Sequence, residues 1–135
     1  MSAAHPDMQK ILIVSNNPKV SLSADDCFVP AESVLPVLEK VRDLIHLGHH
    51  LLTHPLAGSL KPNENPFRSI VITKDALGVD YQSVQLVEGA IAVARRMLQE
   101  RPYRTCSDAV RADLQLIDKS LLDSALDSLR TGISS

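Results

Sequence analysis

Apolar positions along this chain follow two rhythms, short continuous runs and long helical stripes, and each predicts a kind of element. Lys10–Ser15 (KILIVS) is short, β-rich and apolar, and Asn16-Asn17-Pro18 ends it with turn chemistry, so it reads as a strand. A weaker strand is expected at Cys27–Val29, ended by Pro30. Ser33 then offers an N-cap, and Pro36 is tolerated in a first helical turn. Val34, Val37, Leu38, Val41, Leu44 and Ile45 repeat at helical spacing, and Gly48 stands where a left-handed residue would close that helix. His50–Thr53 and Ser69–Thr73 (SIVIT) read as third and fourth strands, while Pro55, Pro62 and Pro66 disfavour a crossover helix between them. A second helix is predicted over about Asp80–Glu100, with Val84, Val87, Ile91, Ala94 and Leu98 on one face. A third begins near Thr105, where Thr105 and Asp108 resemble a capping box. It covers about 106–130, with Val110, Leu114, Ile117, Leu121, Ala125 and Leu129 along its stripe.

Apolar strands alternating with amphipathic helices predict a single α/β domain over residues 1–135. The expected architecture is a small Rossmann-like or flavodoxin-like sandwich, with a largely parallel sheet of about four strands and flanking helices. Composition adds mainly exclusions. Aromatics are 3% with no Trp, so the core must be aliphatic and no stack of rings is at hand for single-stranded nucleic acid. A net charge of -2 supplies no broad basic field for phosphate backbones, so no nucleic-acid partner is expected. No run approaches the ~20 apolar residues that cross a bilayer, and MSAAHPDMQK lacks the apolar core of a signal peptide. Cys27 and Cys106 suggest neither a disulfide framework nor a zinc site. A reduced cytoplasmic protein without a membrane partner is the expectation.

His46, His49, His50 and His54 invite a metal reading, but strand geometry opposes it. A strand over residues 50–53 would set His49 and His54 roughly 16 Å apart. Zinc–imidazole bonds are only about 2.0–2.1 Å, so no metal is expected; no cofactor is expected either. His46 and His49 suit the negative end of the first helix instead. His54 differs, because it opens the polar loop THPLAGSLKPNENPFRS beyond a strand end, where open sheets bind ligands. The candidate ligand residues are Ser15, Asn16, Asn17, Thr53, His54, Ser59, Lys61, Asn63, Glu64 and Arg68. They suit a small polar or anionic ligand if the first and third strands run parallel, and Asn16, His54 and Lys61 are then expected in one pocket. The same residues also suit a purely structural loop, with Asn side chains bonding nearby backbone. His54 with Glu64 allows a third reading, a small enzyme performing proton transfer, although no nucleophile is marked by spacing. AGSLKPNE is not a Walker loop, and neither GxGxxG nor GxSxG occurs.

The stretches SNNP (Ser15–Pro18) and VRDLIHLGHHLLTHPLAGSLKPNENPFRSIVI (Val41–Ile72) resemble the GrdX family, over roughly Lys10–Leu98. The tail after Pro102 matches weakly. This resemblance implies an accessory or regulatory protein of the glycine, sarcosine and betaine reductase system, with reductase components as partners. It carries over no catalytic residue. The long last helix allows a further reading, a pure assembly module that binds another subunit; its distal half at Leu122 and Leu126 suits either packing on the chain's own sheet or a symmetric homodimer with a second copy.

Overall fold

The computed structural model describes residues 10–58 and 60–131. In chain order the elements are β1 (Ile11–Ser15), β2 (Cys27–Phe28), α1 (Val34–His46), β3 (Ser69–Thr73), α2 (Tyr81–Glu100) and α3 (Asp108–Arg130). The sheet order is β2-β1-β3. β1 pairs parallel with β2 at Val14–Cys27 and Ser15–Phe28, and antiparallel with β3 from Ile11–Thr73 to Ser15–Ser69. The expected four-stranded, largely parallel Rossmann- or flavodoxin-like sheet is therefore corrected: this is a small α/β fold around a three-stranded mixed sheet.

Two local causes explain the difference. Residues 50–53 do return beside β3, with Leu51 bridged antiparallel to Ile72, so they run in the direction of β1. They do not extend into a full strand, because side chains take over ladder bonds: Val71 N–H donates to Thr53 Oγ1 at 3.1 Å and His50 N–H to Thr73 Oγ1 at 2.9 Å. The second cause is the proline-rich connection that follows. Without a helix to carry the chain back to its starting end, the next strand begins where the last one stopped and runs the other way. β3 therefore slots antiparallel between β1 and residues 50–53.

The caps follow local sequence. Ser33 Oγ accepts from Leu35 N–H to start α1. At its end Gly48 adopts φ +113°, and the N–H groups of Gly48 and His49 return to Ile45 O and Leu44 O, the paired bonds of a Schellman close. Asp80 caps α2 by accepting from Ser83 N–H. α3 is capped by Ser107, which accepts from Val110 N–H, rather than by the expected Thr105.

The pleat sorts the sheet into two faces. Leu12, Val14, Ile70 and Ile72 pack on α1 and α2 in an aliphatic core that includes Val37, Leu38, Val41, Ile45, Val87 and Ile91. The other face presents Ile13 and Val71 to α3, where Leu122 is buried and Leu126 and Leu129 pack beside it. Leu122 and Leu126 thus pack on the chain's own sheet, the first of the two arrangements open to them, and not in an exposed dimer patch. The large apolar residues that α3 exposes are Val110, Leu116, Ile117 and Leu121. Among the described residues no helix is long and apolar enough to cross a membrane.

Candidate functional site

On the α3 face the apolar sheet surface gives way to polar side chains at the end where β1 finishes and β3 begins. Ser15 and Ser69 are register partners on that face, and their hydroxyls lie 2.7 Å apart. Ser69 Oγ donates to Asp118 Oδ2 at 2.6 Å, so its single proton is committed and Ser15 must donate to Ser69. Ser15 Oγ in turn accepts from Asn17 N–H at 3.0 Å. Asp118, in the middle of α3 and buried, also accepts from Ser69 N–H at 3.0 Å and from Asn17 Nδ2 at 2.9 Å. Asn17 Nδ2 donates as well to Gln115 O at 2.7 Å. Asn65 Nδ2 reaches the neighbouring Leu114 O at 3.1 Å. These bonds fasten α3 to the sheet through polar groups whose burial is tolerable because each has partners.

Asn16 performs a similar task on the far side of the turn. Its Nδ2 donates to Ala31 O, Pro66 O and, more weakly, Ser33 O, while its Oδ1 accepts from Arg68 N–H at 2.8 Å. Its amide is spent on holding three chain segments together.

Arg68 is the incompletely satisfied member of this cluster. Its side chain is 6% exposed, Nη1 donates to Ala57 O at 2.9 Å, and its buried Nε has no hydrogen-bond partner. Burial pushes its pKa down, and the negative field of Asp118 foremost, then Tyr103, opposes that shift. No direct ion pair joins Arg68 to a carboxylate among the described residues. A guanidinium keeps its charge through the working pH range, so a cation sits here incompletely paired. Beside it lies a cavity of about 40 Å³ lined by Thr53, His54, Ala57, Arg68, Ser69, Asp118, Leu121, Leu122 and Ala125. Gly58 brings the loop against α3 at this point with φ +123°, and a Cβ there would come within 2.8 Å of Leu121 Cδ1.

Of the sequence-predicted residues, Thr53, His54 and Arg68 therefore line one cavity, with Ser15 and Asn17 in the hydrogen-bonded chain behind Ser69 and Asp118. Lys61, Asn63 and Glu64 lie elsewhere, along a concavity of about 200 Å³ with Met97, Glu100 and Arg101. Asn16, His54 and Lys61 do not share a pocket. Ser59 lies outside the described residues. Asn63 and Glu64 also border a larger cleft, about 810 Å³, formed with the α2–α3 connection and lined by Arg101, Tyr103, Arg104 and Arg111. Tyr103 spans its floor, donating to Pro62 O and accepting from Val34 N–H, and burial raises its pKa.

The four histidines between residues 46 and 54 serve separate partners. His46 Nε2 meets Glu88 at 3.1 Å, His49 Nδ1 donates to Thr73 O, and His50 Nε2 donates to Gly78 O, all near the opposite end of the sheet. His54 Nδ1 accepts from Leu56 N–H at 3.1 Å, which leaves Nε2 as the donor of the neutral ring. Among the described residues no His, Cys, Asp or Glu cluster of three is arranged to hold a metal ion.

A family model described as GrdX-like protein matches residues 12–127. The chain belongs to the GrdX-like family. Its match runs from β1 through most of α3, so the GrdX-like pattern includes the tail after Pro102, which the sequence resemblance covered only weakly, and with it Gln115 and Asp118. No curated protein and no solved structure matches the chain. Sequence reasoning missed Asp118, Gln115 and Asn65. Gln115, Asp118 and Leu122 do share one helical face, but in a helix with many polar residues their spacing does not set that face apart as the inward one.

Proposed function

We propose that this chain is a non-catalytic accessory protein of the glycine, sarcosine and betaine reductase system, holding a small polar or anionic ligand at its strand-edge loop. Membership of the GrdX-like family supports the system. One observation supports the non-catalytic part: the polar groups that chemistry would need are already committed to scaffold bonds. Ser15, Asn16, Asn17 and Asp118 tie segments together, and Glu64 accepts from Lys61 N–H at 2.8 Å in its own turn. His54 and Glu64 face different concavities, so the rival acid–base pair lacks a shared substrate position. The ligand half of the proposal narrows to Thr53, His54 and Arg68.

Purified reductase components, assayed with and without this protein, provide the test. The accessory reading expects no turnover by the chain alone and a change in reductase assembly or turnover when it is added. An unaffected reductase contradicts it, and turnover by the chain alone that is lost in His54→Ala would install the enzyme reading instead.

A second reading, an assembly module, is favoured by the exposed positions Val110, Ile117 and Leu121, a continuous stripe along α3. A reductase subunit or a second copy of the chain would cover it. Ile117→Glu with Leu121→Glu should then abolish that association, measured by light scattering, without loss of helical circular dichroism.

A further inference from the structure

The Arg68 cavity carries more than a generic ligand. It is closed on one side by Leu121, Leu122 and Ala125 of α3 and on the other by the loop at Ala57. Its polar lining is dominated by donors. Arg68 is part of this lining and its buried Nε–H has no partner, and leaving such a group desolvated and unpaired is costly, more so when it is charged. Thr53 Oγ1 already accepts from Val71 N–H, so its proton remains to be given. His54, with Nδ1 accepting, offers Nε2–H. The one carboxylate present, Asp118, has its oxygens occupied by Ser69 and Asn17 donors.

A donor-lined cavity beside an incompletely paired cation selects an anion, and volume and charge select among anions. A water position needs about 10–15 Å³, so about 40 Å³ accommodates roughly three heavy atoms, the size of a carboxylate group. A tetrahedral oxyanion is larger, and a second negative charge would be repelled by Asp118. Pockets for drug-sized or nucleotide ligands run about 300–1,000 Å³. The guanidinium edge matches the planar pair of carboxylate oxygens.

We propose that this cavity is a binding site for the carboxylate group of a small molecule, held by Arg68 with Thr53 and His54. The proposal rests on the ligand-holding half of the function above and specifies its chemistry. It is tested on the isolated protein, so its failure is separate from failure of the accessory role, which is read in the reductase assay.

The experiment follows the Arg68 Nε–H signal by nuclear magnetic resonance while sodium acetate is added at constant ionic strength, with chloride and phosphate as controls. An acetylated dialanine represents a carboxylate at a chain end. Saturable movement of the Arg68 signal with acetate is expected. It should weaken at least tenfold in Ala125→Leu, which fills the cavity without removing any of its polar groups. In Arg68→Lys, which keeps the charge and loses the guanidinium edge, affinity is read from the neighbouring backbone amides and should fall similarly. Circular dichroism verifies that each variant is folded, and if Arg68→Lys is not, Ala125→Leu carries the decision. Response to acetate alone assigns a free small acid, and response to the dialanine alone assigns a chain terminus. Silence toward both carboxylates overturns the proposal. So does an equal response to chloride or phosphate, or acetate binding undiminished in Ala125→Leu.

Discussion

The two faces of the sheet are held in opposite ways. Toward α1 and α2 the contacts are aliphatic, from Leu12, Val14, Ile70 and Ile72 to Val37, Leu38, Val41 and Ile91. Toward α3 the apolar cluster is small, and the helix is secured largely by Asn17, Asn65, Ser69 and Asp118. Apolar burial is non-directional and tolerates repacking, whereas a polar network fixes one arrangement and loses heavily when a member is left without partners. The first face supplies stability. The second supplies a defined cavity with an unsatisfied cation, which is why the candidate site lies there.

Substitutions on the two faces should separate these roles. The largest effect is expected from Leu122→Glu, which places an unpaired charge between α3 and the sheet where the native side chain is 4% exposed. A loss of more than about 4 kcal/mol, enough to unfold a marginal domain, should appear as lost circular dichroism or a collapsed denaturant midpoint. Leu38→Ala on the apolar face should cost about 2–5 kcal/mol by cavity formation and lower the urea midpoint. Asp118→Asn should cost less, about 1–3 kcal/mol, because the amide retains one acceptor oxygen but presents N–H groups to donors at Ser69 or Asn17. Its hydrogen-exchange protection should fall in α3 and β3 while α1 and α2 amides keep theirs. Equal loss on both sides would erase the proposed distinction. Smallest of all, Ile117→Glu on the exposed stripe should change monomer stability by no more than about 0.5 kcal/mol in chemical denaturation.

The residues themselves explain which parts of this arrangement were legible beforehand. β1, α1 and α2 carry local signals: an apolar run before Asn16-Asn17-Pro18, Ser33 and Gly48 bracketing one stripe, Asp80 opening another. The direction of β3 was not legible, since pairing is decided by the three-dimensional path of the connection, which its prolines alone do not specify. The inward face of α3 was not legible either. Its apolar stripe at Val110, Ile117 and Leu121 is exposed, while Gln115 and Asp118 turn inward to meet Asn17, whose bonds to them span 98 and 101 residues of sequence. No window of sequence contains both partners. Thr53, His54 and Arg68, which line one cavity, stand out in the sequence because polar residues at strand ends are informative on their own, whereas Asp118 acquires its role only from the distant groups it meets.

Amide hydrogen exchange with and without acetate tests the division between the faces most directly. Occupation of the Arg68 cavity should raise protection at Ser69, Val71 and the α3 amides around Asp118 and Leu122, and leave the buried amides of α1 and α2 unchanged. Protection that rises equally in α1 and α2, or that does not rise around Arg68 at saturating acetate, would contradict the assignment of the ligand site to the polar face.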